Sequence, residues 1–170
     1  MMAKILQKDN KILRAKSVEI DPKSIGGTKI KKLLAEMITI LDACPDGAAL
    51  AAPQIGVNWR IFVVSKKIFT DQNDQPDPKA KDIIFINPRL VKISKKKKKL
   101  EEGCLSVRGV FGEIDRAEKA TVEAYNEFGQ KFSYTGAGLM AQIFQHELDH
   151  LDGVLFIDKA KNLAQVDLLN

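Results

Sequence analysis

Two histidines, the only ones in the 170-residue chain, lie four positions apart in the segment "FQHELDH". On a helix, His146 and His150 would be one turn apart on one face, so both imidazoles could reach a single metal ion. Glu147 follows His146 directly, where its carboxylate could act as a general base towards a water at that metal. The spacing is typical of a hydrolytic metal centre, and a chance pair of packing histidines explains it poorly.

A catalytic metal ion usually takes three protein ligands and leaves one position open. The third ligand cannot be a histidine, and the chain beyond Gly153 contains Asp158 and Asp167 but no glutamate, so the downstream ligands of the common zinc proteases are missing. The remaining soft donors are Cys44 and Cys104. We favour Cys104, which lies in the small-residue segment "EEGCLSVRG", because Cys44 ends an amphipathic segment where a packing cysteine is usual.

The motif must be carried by a helix, which the sequence predicts from about Ala137 to Leu151 with Gly153 as its C-terminal cap. Leu139 and Ile143 share a face with the two histidines, and we expect that face to be buried. A second, amphipathic helix is predicted to begin at Thr28 and to end at "CPDG". Its apolar positions are Ile30, Leu33, Leu34, Met37, Ile38 and Leu41.

The other elements are predicted to be strands and loops. Residues 60–65, 83–88 and 89–94 favour strands, and residues 120–136 favour a hairpin that turns around Asn126 to Gly129. Residues 70–82 favour an exposed loop, and residues 47–57 favour irregular backbone. The prediction is an α+β fold, in which mixed, mainly antiparallel sheets pack around a central helix that carries the H-E-x-x-H motif. We expect residues 1–170 to form a single domain.

Composition narrows the class of protein. Hydrophobic residues make up 45% and charged residues 29% of the chain, which is typical of a globular protein. No apolar run approaches the roughly 18 residues needed to cross a bilayer, so we expect no membrane partner. The N-terminus is charged and lacks the apolar region of a signal peptide, and two cysteines are too few for a disulfide framework. These features predict a cytoplasmic protein.

The net charge of +5 is partly concentrated in the block Lys95 to Lys99. A solvated loop or a strand edge is the favoured interpretation, because such charge discourages edge-to-edge pairing. The alternative is a patch that draws the protein towards an anionic surface such as ribosomal RNA. The chain contains no nucleic-acid-binding module signature, so no specific nucleic acid partner is predicted.

Three motifs together resemble the peptide deformylase family. They are "GAALAAPQ" (residues 47–54), "EGCLS" (residues 102–106) and "QHELDH" (residues 145–150), and they occur in the family's order. The shorter matches "INP" at residues 86–88, "RAEK" at residues 116–119 and "GVLFID" at residues 153–158 extend the resemblance over nearly the whole chain.

The resemblance implies roles for particular residues. Cys104, His146 and His150 would bind the metal, and Glu147 would move the proton. The side-chain amide of Gln54 and the backbone N–H of Leu105 would stabilise the oxyanion. The substrate would lie against Gly47, Ala49, Gly103, Leu139 and Ile143. Glu102 and Arg116 would brace the metal loop.

The resemblance also implies a reaction and its partners. The family removes the formyl group from the initiator methionine of newly made polypeptides and releases formate. It is typically most active with ferrous iron, so Fe2+ is the expected native metal, and Zn2+, Ni2+ or Co2+ could occupy a purified sample. The expected partners are N-formylmethionyl nascent peptides, with a transient ribosome association.

Two positions depart from the family's pattern. Ala49 stands where the first motif usually has a second glycine, and Arg108 stands where a proline usually follows "EGCLSV". Two alternatives therefore stay open. One is a zinc endopeptidase, which H-E-x-x-H alone permits. The other is a family member that binds formylated N-termini without turning them over.

Overall fold

Two antiparallel sheets and two α-helices form the structure, a computed structural model that describes residues 4–166. The five-stranded sheet has the order β1-β2-β3-β6-β7, and the three-stranded sheet has the order β4-β5-β8. The strands are β1 (Ala49–Ala51), β2 (Ile61–Val64), β3 (Ile83–Ile93), β4 (Lys97–Cys104), β5 (Val107–Ala117), β6 (Lys119–Tyr125), β7 (Lys131–Ala137) and β8 (Lys161–Gln165). The helices are α1 (Thr28–Asp42) and α2 (Leu139–Leu151). The predicted α+β class with antiparallel sheets is confirmed.

The two helices cover opposite faces of the five-stranded sheet. On β2, Ile61 and Val63 belong to the apolar cluster that includes α1, whereas Phe62 and Val64 belong to the cluster that includes α2. Because both faces are covered, all four residues of β2 are buried and the strand has no polar alternation. Phe144 of α2 packs edge-on against Phe85 with ring centroids 5.2 Å apart, which fixes the helix over the sheet.

A third apolar cluster ties the three-stranded sheet to the chain segments on either side of it. It combines Leu13 near the N-terminus, Val107 and Ile114 of β5, and Leu155 and Phe156, which follow α2. This cluster holds β4 and β5 beside the C-terminal end of α2. The end of β4 is therefore fixed next to the histidine-bearing helix.

Residues 83–88 and 89–94 were predicted as two strands, and this prediction is wrong, because they form the single strand β3. The register with β6 shifts between Ile86 and Arg89, where Asn87 takes a φ of 51°. The Asn87 side chain accepts a hydrogen bond from the N–H of Ile20 at 2.8 Å and donates to its carbonyl at 2.7 Å. A bulge anchored by one asparagine therefore looks like a strand boundary in the sequence.

Other predictions of local structure are confirmed with adjustments. The hairpin formed by β6 and β7 is confirmed, and α1 begins at Thr28, although Ile40 is buried where Ile38 is only half-buried. The stretch predicted to be irregular contains β1 and a 3-10 helix, Ala52–Ile55. Lys97 to Lys99 lie in β4, at the edge of the smaller sheet, as the strand-edge interpretation predicted. None of the helices within residues 4–166 is long and apolar enough to cross a membrane.

Candidate metal centre and active site

Helix α2 carries His146, Glu147 and His150 and ends where predicted. Asp152 caps its C-terminus, and Gly153 follows with a φ of 76°. A Cβ on Gly153 would lie 2.6 Å from the carbonyl oxygen of Arg14, so glycine is required both for the turn and for the close approach of the N-terminal segment. The chain therefore turns sharply after α2 and packs against the N-terminal segment at Arg14.

The helix face predicted to be buried is buried at Ile143 and His150 but not at Leu139. Leu139 is 53% exposed, because it lines an open cleft, whereas Met140 and Ala141 of the same turn are buried in the core. The prediction that Leu139 is buried was therefore wrong, although this residue does line the cleft beside Ile143.

Cys104 is brought to the two histidines by the end of β4. Single donor atoms of Cys104, His146 and His150 all lie within 4.8 Å of one another. Cys104 Sγ is 3.1 Å from His150 Nε2, and the two imidazole rings lie edge to face with centroids 4.9 Å apart. Cys44 is buried in the apolar cluster around α1 and does not join this group.

The residues of this group fit one divalent metal ion. Two donor atoms as close as Cys104 Sγ and His150 Nε2 need a shared proton or a shared cation to be stable in a buried place. His146 Nδ1 lies 2.6 Å from Glu102 Oε1, and this contact directs the other ring nitrogen, Nε2, towards the group. One thiolate and two imidazoles form a donor set that suits zinc, cobalt or ferrous iron.

A buried ionic network holds the group in place. The Arg116 guanidinium donates to both carboxylate oxygens of Glu102, at 2.6 and 3.0 Å, and to Asp149 Oδ2 at 2.8 Å. Gln142 Nε2 donates to Glu102 Oε2 at 3.2 Å. The Arg116–Glu102 pair joins β5 to β4 within the small sheet, whereas the contacts of Asp149 and Gln142 join that sheet to α2. The two ligand-bearing elements are thereby fixed to each other.

Sequence reasoning identified Glu102 and Arg116 but missed Gln142 and Asp149. Both missed residues lie on α2 seven positions apart, with Gln145 between them, and Gln145 bonds both backbone groups of Ala117. Polar residues at spacings of three and four on an otherwise apolar helix are a signal that could have located this second polar stripe.

Gln54 approaches the group from the other side. Its Oε1 accepts a hydrogen bond from the N–H of Ala51 at 2.8 Å, which leaves its Nε2 pointing into the site. That Nε2 donates to Ser106 Oγ at 3.1 Å and lies 3.7 Å from Cys104 Sγ. The side chain is buried, so its amide is held in one orientation.

A cleft of about 300 Å³ leads to these groups. Its lining residues include Ala49, Gln54, Gly103, Leu105, Leu139, Ile143, His146 and Glu147. Asp46 and Arg108 also line it and pair at 3.2 Å. Gly47 is not part of the lining; it is buried in tight contact with Leu41 and Cys44, and its contact with substrate stays a prediction.

The pKa values of Glu102 and Glu147 are shifted in opposite directions. Burial alone would raise the pKa of Glu102, but hydrogen bonds from His146 and Arg116 outweigh it and lower the pKa to about 2. Burial raises the pKa of Glu147 to about 7, partly offset by the charge of His146. One oxygen of Glu147, Oε2, is buried without a hydrogen-bond partner among residues 4–166. Glu147 is thus suited to exchange a proton near neutral pH.

The pKa values of His146 and His150 are also shifted in opposite directions. Burial disfavours the charged form of His146, but hydrogen bonds with Cys104 and Glu102 raise its pKa well above the ordinary value. Burial, reinforced by the charge of His146, lowers the pKa of His150 well below the ordinary value. In the metal-free chain, one proton is therefore held on His146, and a metal ion would have to displace it.

The arrangement is that of a metal-dependent hydrolase. Cys104, His146 and His150 could hold a metal ion at the end of the cleft, beside a buried carboxylate and a fixed amide donor. The sequence model of the polypeptide deformylase family matches residues 2–166 of this chain. The chain belongs to that family.

Individual relatives match over most of their length. The chain is 39% identical to peptide deformylase 2 of Clostridium acetobutylicum over 151 residues, which cover 88% of this chain and 89% of the relative. A crystal structure of a peptide deformylase from Legionella pneumophila superposes with a TM-score of 0.80 at 37% identity, covering 95% of this chain and 88% of that one. The Met-Ala-Ser-bound class I type b enzyme from Acinetobacter baumannii superposes with a TM-score of 0.82 at 25% identity, covering 94% and 98%.

Proposed function

We propose that this protein hydrolyses the formyl group from N-formylmethionyl peptides and releases formate. The observation that carries the proposal is the meeting of Cys104, His146 and His150 beside the buried carboxylate of Glu147. Family membership supplies the substrate class, and the tripeptide Met-Ala-Ser bound to the Acinetobacter enzyme has the N-terminal methionine that such a product would have.

The cleft suits a peptide that begins with an apolar side chain. Leu139 and Ile143 form one apolar wall, on which the methionine side chain would lie. Ala49 in β1 and Gly103 in β4 line the cleft from the two sheets. Both could align the substrate backbone as an added strand, with Gly47 setting the turn before Ala49.

Glu147 would move the proton. With a pKa near 7, its carboxylate can take a proton from the attacking water and later return it to the amine nitrogen of the peptide. The C–N bond of the formamide breaks, and formate and a free N-terminal amine leave. No protein donor among residues 4–166 engages Oε2 of Glu147, so this buried oxygen is not committed to another hydrogen bond.

Gln54 and Leu105 would stabilise the oxyanion. The side-chain amide of Gln54 is already oriented by Ala51, so it needs no reorganisation when negative charge develops. Leu105 lies in the turn after Cys104 and lines the cleft, which places its backbone N–H within the same region. Two fixed donors on one oxygen are the usual means of lowering such a barrier.

Cys104, His146 and His150 would hold one divalent metal ion, and we propose Fe2+ as the native one. A metal ion bound there lowers the pKa of a water to near neutrality and polarises a carbonyl oxygen. Glu102 and Arg116 would serve as the brace that keeps His146 oriented. Metal analysis of protein purified without oxygen would identify the metal, and zinc, nickel or cobalt as the only bound metal would contradict the iron assignment.

Formate release tests the function directly. The anaerobically prepared, iron-loaded protein should release formate from formyl-Met-Ala-Ser. Cleavage of longer, unformylated peptides without formate release would instead indicate an endopeptidase. Tight binding of the formyl peptide without turnover would indicate a binding protein of the same family, and the substitutions at Ala49 and Arg108 would then be the first positions to revert.

We further propose a transient ribosome association through Lys95 to Lys99. In the described residues, Lys96 pairs with Glu118 and Lys99 with Glu113, and the other three lysines of the block have no ion-pair partner. Of these three, Lys97 and Lys98 lie on the edge strand β4 and Lys95 lies just before it, where RNA phosphates could approach. Ribosome affinity should fall with rising salt and on replacing the five lysines; equal affinity in both comparisons would remove the proposal.

The cellular setting follows from the substrate. Nascent formylated chains are made where ribosomes work, so we infer a cytoplasmic enzyme, with residues 1–170 as one catalytic domain. Fractionation of cells that express the protein would test the location, and limited proteolysis would test the domain assignment. Recovery in another compartment, or two stable fragments, would contradict these inferences.

A further inference from the structure

We propose that Gln7 is a positioning residue of the metal-ligand loop. Gln7 Nε2 donates to the carbonyl of Leu105 at 3.1 Å, and the N–H of Ser106 in the same peptide unit points to Cys104 Sγ at 3.4 Å. In a trans peptide unit the carbonyl and the next N–H lie in one rigid plane and point in opposite directions. By holding the carbonyl, Gln7 therefore aims the N–H at the sulfur that would bind the metal.

The turn that contains this peptide unit needs external support. Cys104 pairs with Val107 across the two-residue connection Leu105–Ser106. Such hairpin turns favour a positive φ at the first central residue, yet the non-glycine residues with positive φ in the described chain are Asp74, Asn87 and Asn162. Neither turn residue therefore has the geometry that a two-residue hairpin prefers. Beyond Val107 the register of β4 with β5 is also shifted.

Gln7 is anchored on the other catalytic segment. The N–H of its neighbour Leu6 donates to the backbone carbonyl of Gln54 at 2.8 Å. The Gln7 side chain also donates to the carbonyl of Ile5 and accepts from the N–H of Arg108, both at 3.4 Å. One short N-terminal segment thus touches the backbone of both proposed oxyanion donors, Gln54 and Leu105, and sets their separation.

The orientation of this peptide unit also affects the negative charge on the Cys104 sulfur. An N–H that donates to a thiolate stabilises its negative charge and lowers the energy of the sulfur lone pairs. If the peptide unit rotated, the Leu105 carbonyl would turn towards the sulfur, and two electron-rich atoms would face each other. Gln7 is itself exposed, so replacing it leaves no cavity in the core.

Cobalt-loaded protein gives a test that does not depend on activity. Gln7→Met and Gln7→Glu keep the size of the side chain but remove the donor to Leu105. Both variants should shift the sulfur-to-cobalt charge-transfer band to longer wavelength, because the lone pairs of Cys104 rise in energy. The matched control is Asn10→Ala, which removes the cap of the neighbouring 3-10 helix, where Asn10 accepts from the N–H of Ile12 at 3.1 Å. This control should leave the band unchanged.

A comparison of kcat and KM between the wild type and the Gln7 variants completes the test. This comparison rests on the proposed function, because it uses a formylated peptide as substrate. The Gln7 variants should lower kcat for formyl-Met-Ala-Ser about tenfold with little change in KM, as loss of outer-shell support typically does. A wild-type band in both variants, or an equal shift in Asn10→Ala, overturns the positioning role. If the wild-type protein itself releases no formate, the proposed function fails, while the band comparison still decides the role of Gln7.

Discussion

Glu102 Oε1 lies 2.6 Å from His146 Nδ1, and the same carboxylate accepts two hydrogen bonds from Arg116. The side chains of Glu102 and Arg116 are each only 4% exposed. The relationship joins a proposed metal ligand on α2 to β5 through one buried carboxylate on β4. The negative charge of Glu102 therefore both orients the His146 imidazole and helps to hold the small sheet against α2.

Replacing that charge should destabilise the protein. Glu102→Gln leaves the buried Arg116 with Asp149 as its remaining carboxylate partner, and we expect the metal-free protein to lose about 3 kcal/mol of unfolding free energy. Urea denaturation measures the loss. The matched control is Glu19→Gln, which breaks the exposed pair with Arg89 and should cost less than about 1 kcal/mol. Equal losses in the two variants would show that the buried network contributes nothing special.

The two cysteines should differ in their effect on metal binding. Cys104→Ser replaces the thiolate of the ligand group and should weaken metal affinity at least about 100-fold, since loss of an outer-shell partner alone costs 10–100-fold. Cys44→Ser changes a residue of the apolar core and should retain full metal affinity. Competition with a chromogenic chelator measures both. Weaker binding in Cys44→Ser and none in Cys104→Ser would reverse the ligand assignment.

The sequence predicted the parts of the site that follow from short-range patterns along the chain. It missed the parts that depend on contacts between residues far apart in the chain. The spacing of His146 and His150 is a local property of a helix, so α2 and its C-terminal cap could be predicted from the sequence alone. Elimination left the two cysteines, and Cys104 was favoured over Cys44 because of its small-residue segment; the structure brings Cys104 to the histidines. Contacts such as Gln7 with Leu105 join residues 98 positions apart, and no local pattern reveals them.

The small sheet was missed for a related physical reason. Strand β4 reads "KKKLEEGC", which has little of the β-branched and aromatic content that marks a strand. It is a strand because β5 pairs with it and because Leu100 pairs with the buried Ile114. Strand β8 is exposed along its length, so it shows no alternation of buried and exposed positions either. Tertiary pairing decides such strands, and composition does not.

Gly153 should be the less replaceable of two glycines with the same backbone angle. Gly153 and Gly129 both have a φ of 76°, so alanine costs roughly 1 kcal/mol at either position through backbone strain. At Gly153 the new Cβ would also meet the Arg14 carbonyl oxygen at 2.6 Å, whereas at Gly129 the nearest atoms are 3.8 Å away. We expect Gly153→Ala to cost at least about 2 kcal/mol more than Gly129→Ala, as measured by thermal or urea unfolding. Similar losses would mean that the backbone near Arg14 moves away freely.

Removing the carboxylate of Glu147 should separate metal binding from chemistry. Glu147 is not part of the donor group, so Glu147→Ala should keep one metal ion per chain while formate release falls about 10²- to 10⁴-fold. Metal content by elemental analysis and formate release are measured on the same sample. Loss of the metal in this variant would contradict the assignment of Glu147 as a proton carrier, because it would make the residue a ligand.

The same residue should give the metal-free protein an unusual dependence of stability on pH. The pKa of Glu147 rises from 4.5 to about 7 on folding, so between these values the native state keeps a proton that the unfolded state has lost. Stability therefore falls as pH rises through this window, and the full shift corresponds to roughly 3 kcal/mol. Glu147→Gln stays neutral and lacks this loss.

The comparison of wild type with Glu147→Gln isolates this effect from the other titrating groups. At pH 4.5 most of the wild-type side chain is also neutral in the native state, so the two metal-free proteins should differ little. By pH 8 the variant should be more stable by roughly 3 kcal/mol, as measured by urea unfolding at each pH. A difference that stays constant from pH 4.5 to 8 would show that the pKa of Glu147 does not change on folding, and burial would then not adjust this carboxylate for proton transfer.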